Sequence, residues 1–248
     1  MWTSYVINLA DNTARMDNSA GQFNRLGLHY RRIEGVNGRA LSDGEVAACY
    51  SANQNARKAK YPLVRSEIGC YLSHILAWRQ IADGPEDGGF VFEDDFRAAD
   101  DLPVVLTALT NGPQDWDMVK LFSFDPQPKT VGERSLGAGH RLVVPYRVPT
   151  CLIGYGLSRA AARHLADRAI PFFRPVDEDQ KFFWETGLKV ALVLPTPVTV
   201  GDQQTVTGTI GTERRSAARR GFRQTLRGLA YQVRYRAALY WHRRRAAP

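Results

Sequence analysis

The sequence lacks an apolar run long enough to cross a bilayer, and its first residues lack the basic and then apolar segments of a secretory signal. Both absences predict a protein that is made and kept in the cytoplasm. Cysteine is also scarce. Cys49, Cys70 and Cys151 are odd in number and widely spaced, which favours reduced thiols over a disulfide framework or a zinc site. We therefore assign all three cysteines to packing.

Internal repeats and low-complexity segments are absent as well. A chain of 248 residues with 44% hydrophobic content can bury a sizeable core and has the composition of an ordinary globular protein. We predict one main domain at residues 1–200 and a tail at residues 213–248. The segment between them, residues 201–212, is rich in Gly, Thr and Gln and is interpreted as a mobile lid or linker.

Lysine is missing from the tail, which contains eleven arginines and one glutamate and so carries a net charge of +10. Because the whole chain carries +8, residues 1–212 carry −2, and the main domain is not basic. Apolar residues recur in the tail at helical spacing, and they are Leu226, Leu229, Val233, Ala237 and Tyr240. This pattern predicts a basic amphipathic helix.

Three partners for the tail helix follow from this pattern. The density of arginine favours an anionic membrane surface, with packing of the helix on the main domain as the alternative. Nucleic acid is the least favoured of the three, because the main domain has an acidic balance. We therefore predict no nucleic-acid partner.

Three consecutive carboxylates, Glu93, Asp94 and Asp95, follow a short apolar run at residues 89–92. The run indicates a buried strand, and like charges crowded at its end repel one another unless a cation lies between them. Magnesium and manganese take such oxygen ligands together with substrate phosphates, so the triplet points to a nucleotide substrate. A solvated acidic loop is the alternative reading of these residues alone.

Alternating apolar runs and helical patterns predict an α/β sheet with helices on both faces. Strand candidates lie at residues 117–122, 141–144 and 189–194. Ser42 and Ser158 have the spacing of helix N-caps. An irregular connection is predicted where Pro126, Pro128, Gly132, Gly137 and Gly139 cluster.

Six short strings occur in a fixed order along the chain. They are INL at residues 7–9 with Arg15, GVNG at 35–38, EIGCYLSH at 67–74, FEDD at 92–95, GYGLS at 154–158 and PVD at 175–177. Together they resemble glycosyltransferase family 25 over roughly residues 4–200. The family includes lipopolysaccharide and lipooligosaccharide glycosyltransferases and domains of collagen-modifying enzymes.

The resemblance implies a GT-A type nucleotide-sugar-binding domain with a mixed central sheet. It also implies an inverting, metal-dependent hexosyltransferase, with UDP-galactose as the first-choice donor and a saccharide lipid as acceptor. Together with the missing signal segment and the basic tail, this predicts a peripheral location on the inner face of the cytoplasmic membrane. Two alternatives stay open. A noncatalytic saccharide- or membrane-binding module would bind the donor without cleaving it, and a nucleotide phosphohydrolase would attack UDP itself.

The resemblance also assigns the chemistry to particular residues. Glu93, Asp94 and Asp95 take the family's role in binding the donor, with Asp95 and Glu93 as ligands of Mn²⁺ or Mg²⁺. The triplet is EDD rather than the DXD pattern, so the division of roles among its members is open. For the general base, Asp177 is preferred and Asp179 is next, while helix capping is the structural alternative.

Further donor contacts follow from the same strings. The candidates are Asn8, Leu9, Arg15, Gly35, Gly38, His74 and Tyr155. Arg15 is expected to bind phosphate, and Tyr155 to stack against the sugar. A surface salt bridge and core packing are the respective alternatives. The two glycines are also explained by turns, and His74 by a structural role in an apolar helix.

Overall fold

The computed structural model describes residues 1–201, 213–214 and 222–245, and the predicted lid or linker therefore lies almost entirely outside the described residues. The strands are β1 (Ser4–Asn8), β2 (Tyr30–Glu34), β3 (Gly88–Glu93), β4 (Phe96–Ala98), β5 (Met118–Lys120), β6 (Thr130–Gly137), β7 (His140–Pro145), β8 (Gly154–Ser158), β9 (Val190–Leu194) and β10 (Val198–Val200). The α-helices are α1 (Thr13–Arg25), α2 (Asp43–Cys49), α3 (Ala52–Lys58), α4 (Arg65–Ala82), α5 (Leu102–Asn111), α6 (Arg159–Arg168), α7 (Val176–Gln180), α8 (Phe183–Thr186) and α9 (Phe222–Arg245), with a 3₁₀ turn at Gly38–Ala40.

One mixed sheet organises the described part of the chain. Its strand order is β2-β1-β3-β8-β5-β9-β7-β6, and β4 pairs separately with β10. Strand β1 runs parallel to β2 and β3, and β5 runs parallel to β9. Because β8 is antiparallel to both β3 and β5, these two strands point the same way. The predicted mixed α/β architecture is confirmed, and it fits a Rossmann-like fold.

Helices cover both faces of this sheet, as the sequence predicted. On one face, α4 packs through residues such as Ile75 and Trp78 against β3 and β8. On the other face, α1 and α5 pack through residues such as Phe23 and Leu106 against β1, β3 and β5. The strands between these layers are therefore nearly continuous apolar runs, and their polar ends emerge at the edges of the sheet.

The N-caps are confirmed, whereas the irregular connection is corrected. Ser42 accepts from the Glu45 amide at 3.3 Å, and Ser158 accepts from the Ala161 amide at 3.2 Å. Residues Thr130–Gly137, however, form the edge strand β6, which pairs with β7. Ala138 between them has a φ of 51°, so glycines flank a tight hairpin turn there. Strand β6 is mostly exposed and polar, and it therefore lacks the apolar signal of an inner strand.

Helix α9 packs on the main domain through one face. Tyr231, Tyr235 and Leu239 are buried there, and they form a cluster with Phe182 and its neighbours. Burial of a leucine-sized side chain contributes about 2 kcal/mol, so this contact is substantial. Arg227 extends it by donating to the side-chain oxygen of Asn55 at 2.7 Å.

The opposite face of α9 is apolar as well, yet it is exposed. Its large side chains are Leu226, Leu229, Val233, Tyr240 and Trp241, each at least 48% exposed. Arg234, Arg236, Arg244 and Arg245 lie beside or within this row and are also exposed. Among the described helices, none is long and apolar enough to span a membrane.

Candidate active site

Strands β1, β3 and β5 end at the same edge of the sheet, because they run in the same direction. Asn8, Glu93 and Lys120 are their last residues. Strand β8 runs the other way, so Cys151 and the residues just before Gly154 reach this edge too. Ligands of open α/β sheets bind beyond the carboxyl ends of the strands. This edge is therefore the candidate site.

The acidic triplet is held by β1 and α1. Asn8 Nδ2 donates to Asp94 Oδ2 at 2.7 Å, and Arg15 Nη1 contacts Asp94 Oδ1 at 2.9 Å. Arg15 Nη2 contacts Asp95 Oδ2 at 3.0 Å. Arg15, which was expected to bind phosphate, therefore bridges two acids of the triplet in this structure. Asn8 likewise supports Asp94.

One of the two carboxylate oxygens of Asp95 is free to bind a ligand. Its Oδ1 is buried and has no hydrogen-bond partner among the described residues. Burial, together with the nearby charge of Glu93, raises the pKa of Asp95 to about 6, although Arg15 opposes this shift. A buried, unpartnered carboxylate oxygen is suited to a hard divalent cation, which takes one or two carboxylates plus phosphate oxygens. Asp95 thus fits the metal role that the family implies.

Glu93 turns toward helix α4 instead. Its Oε1 lies 3.3 Å from His74 Nε2, and His74 Nδ1 lies 2.8 Å from the Tyr155 hydroxyl. The Trp78 indole also donates to that hydroxyl, at 2.8 Å. Tyr155 is fully buried, because β8 lies in the middle of the sheet, so its ring has no face open to a sugar. Burial of the Tyr155 ring favours the core-packing alternative over stacking on the sugar.

Three consecutive acids on α7 point in three directions. Asp177 Oδ2 accepts from the Cys151 amide at 3.2 Å, which places it at the strand edge. Glu178 Oε2 accepts from the Tyr231 hydroxyl of α9 at 2.8 Å. Asp179 accepts from the Tyr71 hydroxyl at 2.7 Å and pairs with Arg174 at 2.8 Å. Asp177 is therefore the acid of this segment that lies at the candidate site, whereas the carboxylate of Asp179 is already paired.

The amide contacts of Asp177 bear on the capping alternative. Its Oδ1 accepts from the Glu178 amide at 2.8 Å. The N-cap position of α7 is Pro175, which makes no side-chain capping bond. Asp177 thus lies within the first turn of the helix and is held by two backbone amides in a defined orientation.

Lys120 is a site residue that sequence reasoning missed. Its side chain is fully buried, and Nζ donates to the Cys151 carbonyl. It has no ion pair among the described residues, although the charges of Asp177 and Glu93 act on it. Burial lowers the pKa of Lys120 to about 8. A lysine inside the apolar run at residues 117–122 was the available signal, because buried lysines are rare.

The glycine candidates are explained by the fold. Gly35 directly follows β2, donates its amide to the Asn8 carbonyl at 2.9 Å and lies against Leu9, so the chain segments that leave the parallel strands β1 and β2 pack together here. Gly38 lies against the backbone of α4 at Arg65 and Gly69, where a side chain would collide with main-chain atoms. Close packing against α4 therefore explains glycine at position 38, and the predicted donor contact of Gly38 stays a prediction.

Comparison with known proteins gives a consistent family. The family model described as "Glycosyltransferase family 25 (LPS biosynthesis protein)" matches residues 1–179. Procollagen galactosyltransferase 1-A of Xenopus laevis is 29% identical over 183 residues, which cover 70% of this chain and 30% of that protein. Procollagen galactosyltransferase 2 of Homo sapiens is 27% identical, with 70% and 29% covered.

A third relative carries a different description. "Probable inactive glycosyltransferase 25 family member 3" of Bos taurus is 27% identical over 188 residues, which cover 70% of this chain and 30% of that protein. This chain therefore spans about 30% of the length of the curated relatives that it matches. Proteins named as galactosyltransferases and a protein named as inactive are thus about equally similar to this chain.

Proposed function

This chain belongs to glycosyltransferase family 25, and we propose that it transfers a hexose from a nucleotide sugar to an acceptor hydroxyl. UDP-galactose is the proposed donor, because two of the relatives above are named galactosyltransferases. A lipooligosaccharide or lipopolysaccharide is the proposed acceptor, in keeping with the description of the family. A GT-A arrangement of the domain is part of the same proposal.

The observation that carries this proposal is the meeting of three groups at one sheet edge. Asp95 offers a free carboxylate oxygen, Asp177 is a carboxylate oriented by two amides, and Lys120 is a cation without an ionic partner among the described residues. Transfer of a sugar from a diphosphate needs a base for the acceptor and positive charge for the leaving group. All three lie where such a substrate would bind.

Asp177 is the proposed general base. In an inverting transfer, its carboxylate removes the acceptor proton as the hydroxyl attacks the anomeric carbon from the side opposite the leaving diphosphate. The Cys151 and Glu178 amides hold both oxygens, so the carboxylate needs little reorganisation before it accepts the proton. Asp179 is not preferred, because Tyr71 and Arg174 already engage it.

Asp95 and Lys120 are proposed to serve the donor. Bound Mn²⁺ or Mg²⁺ would neutralise charge on the diphosphate, with Asp95 as its protein ligand and Glu93 next to it. Lys120 adds a fixed positive charge at the same edge. Arg15 is proposed to keep Asp94 and Asp95 in place, in keeping with its contacts to both carboxylates.

The acceptor is proposed to lie in a groove beside Asp177. This groove has a volume of about 480 Å³ and is lined by, among others, Phe124, Lys129, Tyr146, Arg147 and Thr150. Thr150 directly precedes Cys151, whose amide binds Asp177. The exposed ring of Phe124 can stack on a sugar, and two basic side chains suit acidic or phosphorylated saccharides.

Binding to an anionic membrane is proposed through the exposed face of α9. Its apolar row and the adjoining arginines match the headgroup region of such a membrane in polarity and charge. The opposite face is buried against Phe182, so the helix can dock on lipid without leaving the domain. This arrangement supports a location on the inner face of the cytoplasmic membrane.

The experiment for the catalytic proposal measures donor binding and cleavage together. A thermal-shift screen of nucleotide sugars with Mn²⁺ should find one donor that raises the melting temperature in proportion to its occupancy. Slow release of UDP from that donor should follow. Binding without UDP release would identify a noncatalytic module, whereas release of phosphate from UDP itself would identify a phosphohydrolase.

The experiment for the membrane proposal replaces Leu229 and Val233 together with serine. Cosedimentation with anionic vesicles should fall several-fold relative to the unmodified protein, and binding of the unmodified protein should fall at high salt. The control is Val104→Ser on α5, because Val104 is also about half exposed. Equal sedimentation of all three proteins would contradict the membrane role. Substitution is preferred to removal of the tail, because truncation after residue 212 would also expose the cluster around Phe182.

A further inference from the structure

Cys70, His74 and Glu93 bring three metal-ligating atoms together beside the acidic triplet. The sulfur, a ring nitrogen and a carboxylate oxygen lie within 4.8 Å of one another. Cys70 and His74 are four residues apart on α4 and so project from the same face of the helix, toward the end of β3 where Glu93 lies. Within the described part of the chain, no other group of three or more His, Cys, Asp or Glu converges in this way.

The spacing between His74 and Glu93 suits two ligands of one ion. Their Nε2 and Oε1 atoms are 3.3 Å apart. A charge-assisted hydrogen bond between such groups is normally about 2.7–2.9 Å long. Two ligands on a tetrahedral zinc ion, with bonds of about 2.0–2.1 Å, lie about 3.3 Å from each other. The observed separation is thus long for a strong hydrogen bond and right for a shared metal.

His74 is also oriented as ligating histidines are. Its Nδ1 contacts the Tyr155 hydroxyl at 2.8 Å, and Trp78 donates to the same hydroxyl. Both aromatic side chains are buried, which fixes the imidazole ring and turns Nε2 toward Glu93. A metal-bound histidine almost always has such a partner on its other nitrogen.

A divalent ion at this position would also fix the protonation state of Cys70, because a thiol that coordinates such an ion binds as the thiolate.

We propose that Cys70, His74 and Glu93 bind one divalent ion of borderline softness, such as Zn²⁺ or Co²⁺. Three protein ligands leave a fourth position for water or substrate, which is the pattern of open rather than purely structural zinc sites. Thiolate and imidazole ligands distinguish this site from Asp95, whose oxygen suits Mn²⁺ or Mg²⁺. The ion binds without any nucleotide sugar, so its binding can be measured separately from the proposed transfer reaction, although the two sites adjoin at Glu93.

The test is a titration of the metal-free, full-length protein with Co²⁺ in the absence of nucleotide, followed by absorption spectroscopy. The unmodified protein should bind one equivalent, with the visible bands of tetrahedral cobalt and a thiolate-to-cobalt charge-transfer band in the near ultraviolet. Cys70→Ser should lose the charge-transfer band. Cys151→Ser and Asp95→Asn should keep it, because neither residue belongs to this site. Zn²⁺ should displace the cobalt.

Two further variants keep the test decisive if Cys70→Ser does not fold. Glu93→Gln changes a partly exposed side chain and should weaken cobalt binding at least tenfold. Tyr155→Phe removes the partner of His74 and should weaken it by about 10–100-fold. The proposal is overturned if no saturable cobalt spectrum forms, or if the charge-transfer band survives in Cys70→Ser. It is also overturned if Asp95→Asn abolishes the spectrum, since the cobalt would then occupy the triplet.

Discussion

The chain contains two runs of three consecutive acids, at residues 93–95 and 177–179, and the fold treats them differently. The first run ends strand β3, so its side chains crowd at one sheet edge and are shared between Asn8, Arg15 and His74. The second run lies on the first turn of α7, where successive side chains are about 100° apart. They therefore reach three different regions, namely the sheet edge, helix α9 and the interior beside α4.

The difference shows how one acid of each run stays available for chemistry. At β3, Arg15 and Asn8 occupy both oxygens of Asp94, and Asp95 keeps one free. At α7, the Tyr231 hydroxyl binds Glu178 and the Tyr71 hydroxyl binds Asp179. Helical spacing separates the carboxylates in the second run, whereas the Arg15 guanidinium and the Asn8 amide hold those of Asp94 and Asp95 in the first.

The largest expected effect is at Asp177. Asp177→Asn should lower turnover by about two to four orders of magnitude, because a general base acts in the transition state. Donor affinity should change little. The measurement is steady-state kinetics with the identified donor, combined with calorimetric titration of that donor.

Asp179→Asn is the matched comparison for this prediction. It should lower stability by about 1–3 kcal/mol, because Tyr71 and Arg174 lose a buried partner, while turnover at low temperature should fall much less. A reversed result, with normal turnover in Asp177→Asn and near-complete loss in a folded Asp179→Asn, would move the base to Asp179.

The next effect is at Asp95. Asp95→Asn should weaken manganese-dependent donor binding by about 10–100-fold, because an amide oxygen is a poorer ligand than a carboxylate. Isothermal calorimetry with and without Mn²⁺ measures this change. Asp94→Asn should instead reduce stability, since Asp94 is tied to Arg15 and Asn8. Unchanged binding in Asp95→Asn would remove it from the metal site.

A pH effect of about tenfold is expected at Lys120. Its pKa is lowered to about 8 by burial, so the side chain is charged below that pH and loses its charge as the pH rises through 8. Affinity for the nucleotide sugar should therefore fall between pH 7 and pH 9. In Lys120→Arg the decline should be absent, because arginine stays protonated.

Lys120→Met is the variant in which the side chain at position 120 is uncharged at every pH. Its affinity should be low throughout and should show no decline near pH 8. Donor titrations at three pH values distinguish the variants. A decline of the same size in Lys120→Met would assign the titration to another group.

The smallest effect concerns Glu178, the acid that turns away from the site. Tyr231→Phe removes the hydroxyl that donates to Glu178 and should reduce the free energy of unfolding by about 1 kcal/mol. Turnover should stay within about twofold. Denaturant unfolding and kinetics measure the two quantities. A tenfold loss of turnover without loss of stability would mean that α9 positions Asp177 through its neighbour.

The elements with strong apolar signals were predictable from sequence. Strands β1 and β3 are apolar runs with polar ends, and Ser42 and Ser158 have the spacing of caps. Strand β6 was not predictable in this way, because an exposed edge strand needs few apolar residues. The periodicity of apolar residues predicts which face of a strand is buried. It does not predict whether the strand lies at the edge or in the middle of the sheet, because that depends on which strands pair with it.

In the candidate site, too, some residues were predictable from sequence and others were not. The strings around Glu93, Asp95 and Asp177 identified the carboxylates, because acids after an apolar run or near a helix start are visible in sequence. The burial of Tyr155 was not visible, since it depends on the central place of β8. The burial of Lys120 depends on the cover over both faces of β5, which the sequence of that strand does not show.

The place of β9 in the sheet has a consequence for synthesis of the protein on the ribosome. Strands β6 and β7 are synthesised before β9. Strand β9 alone, however, connects this hairpin to the rest of the large sheet. Until Leu194 has emerged, the nascent chain carries two separate groups of strands, each with an unpaired edge open to other chains. A premature stop codon between the end of α7 and the start of β9 would therefore yield a fragment that cannot close its sheet, even though the residues proposed for catalysis are all present.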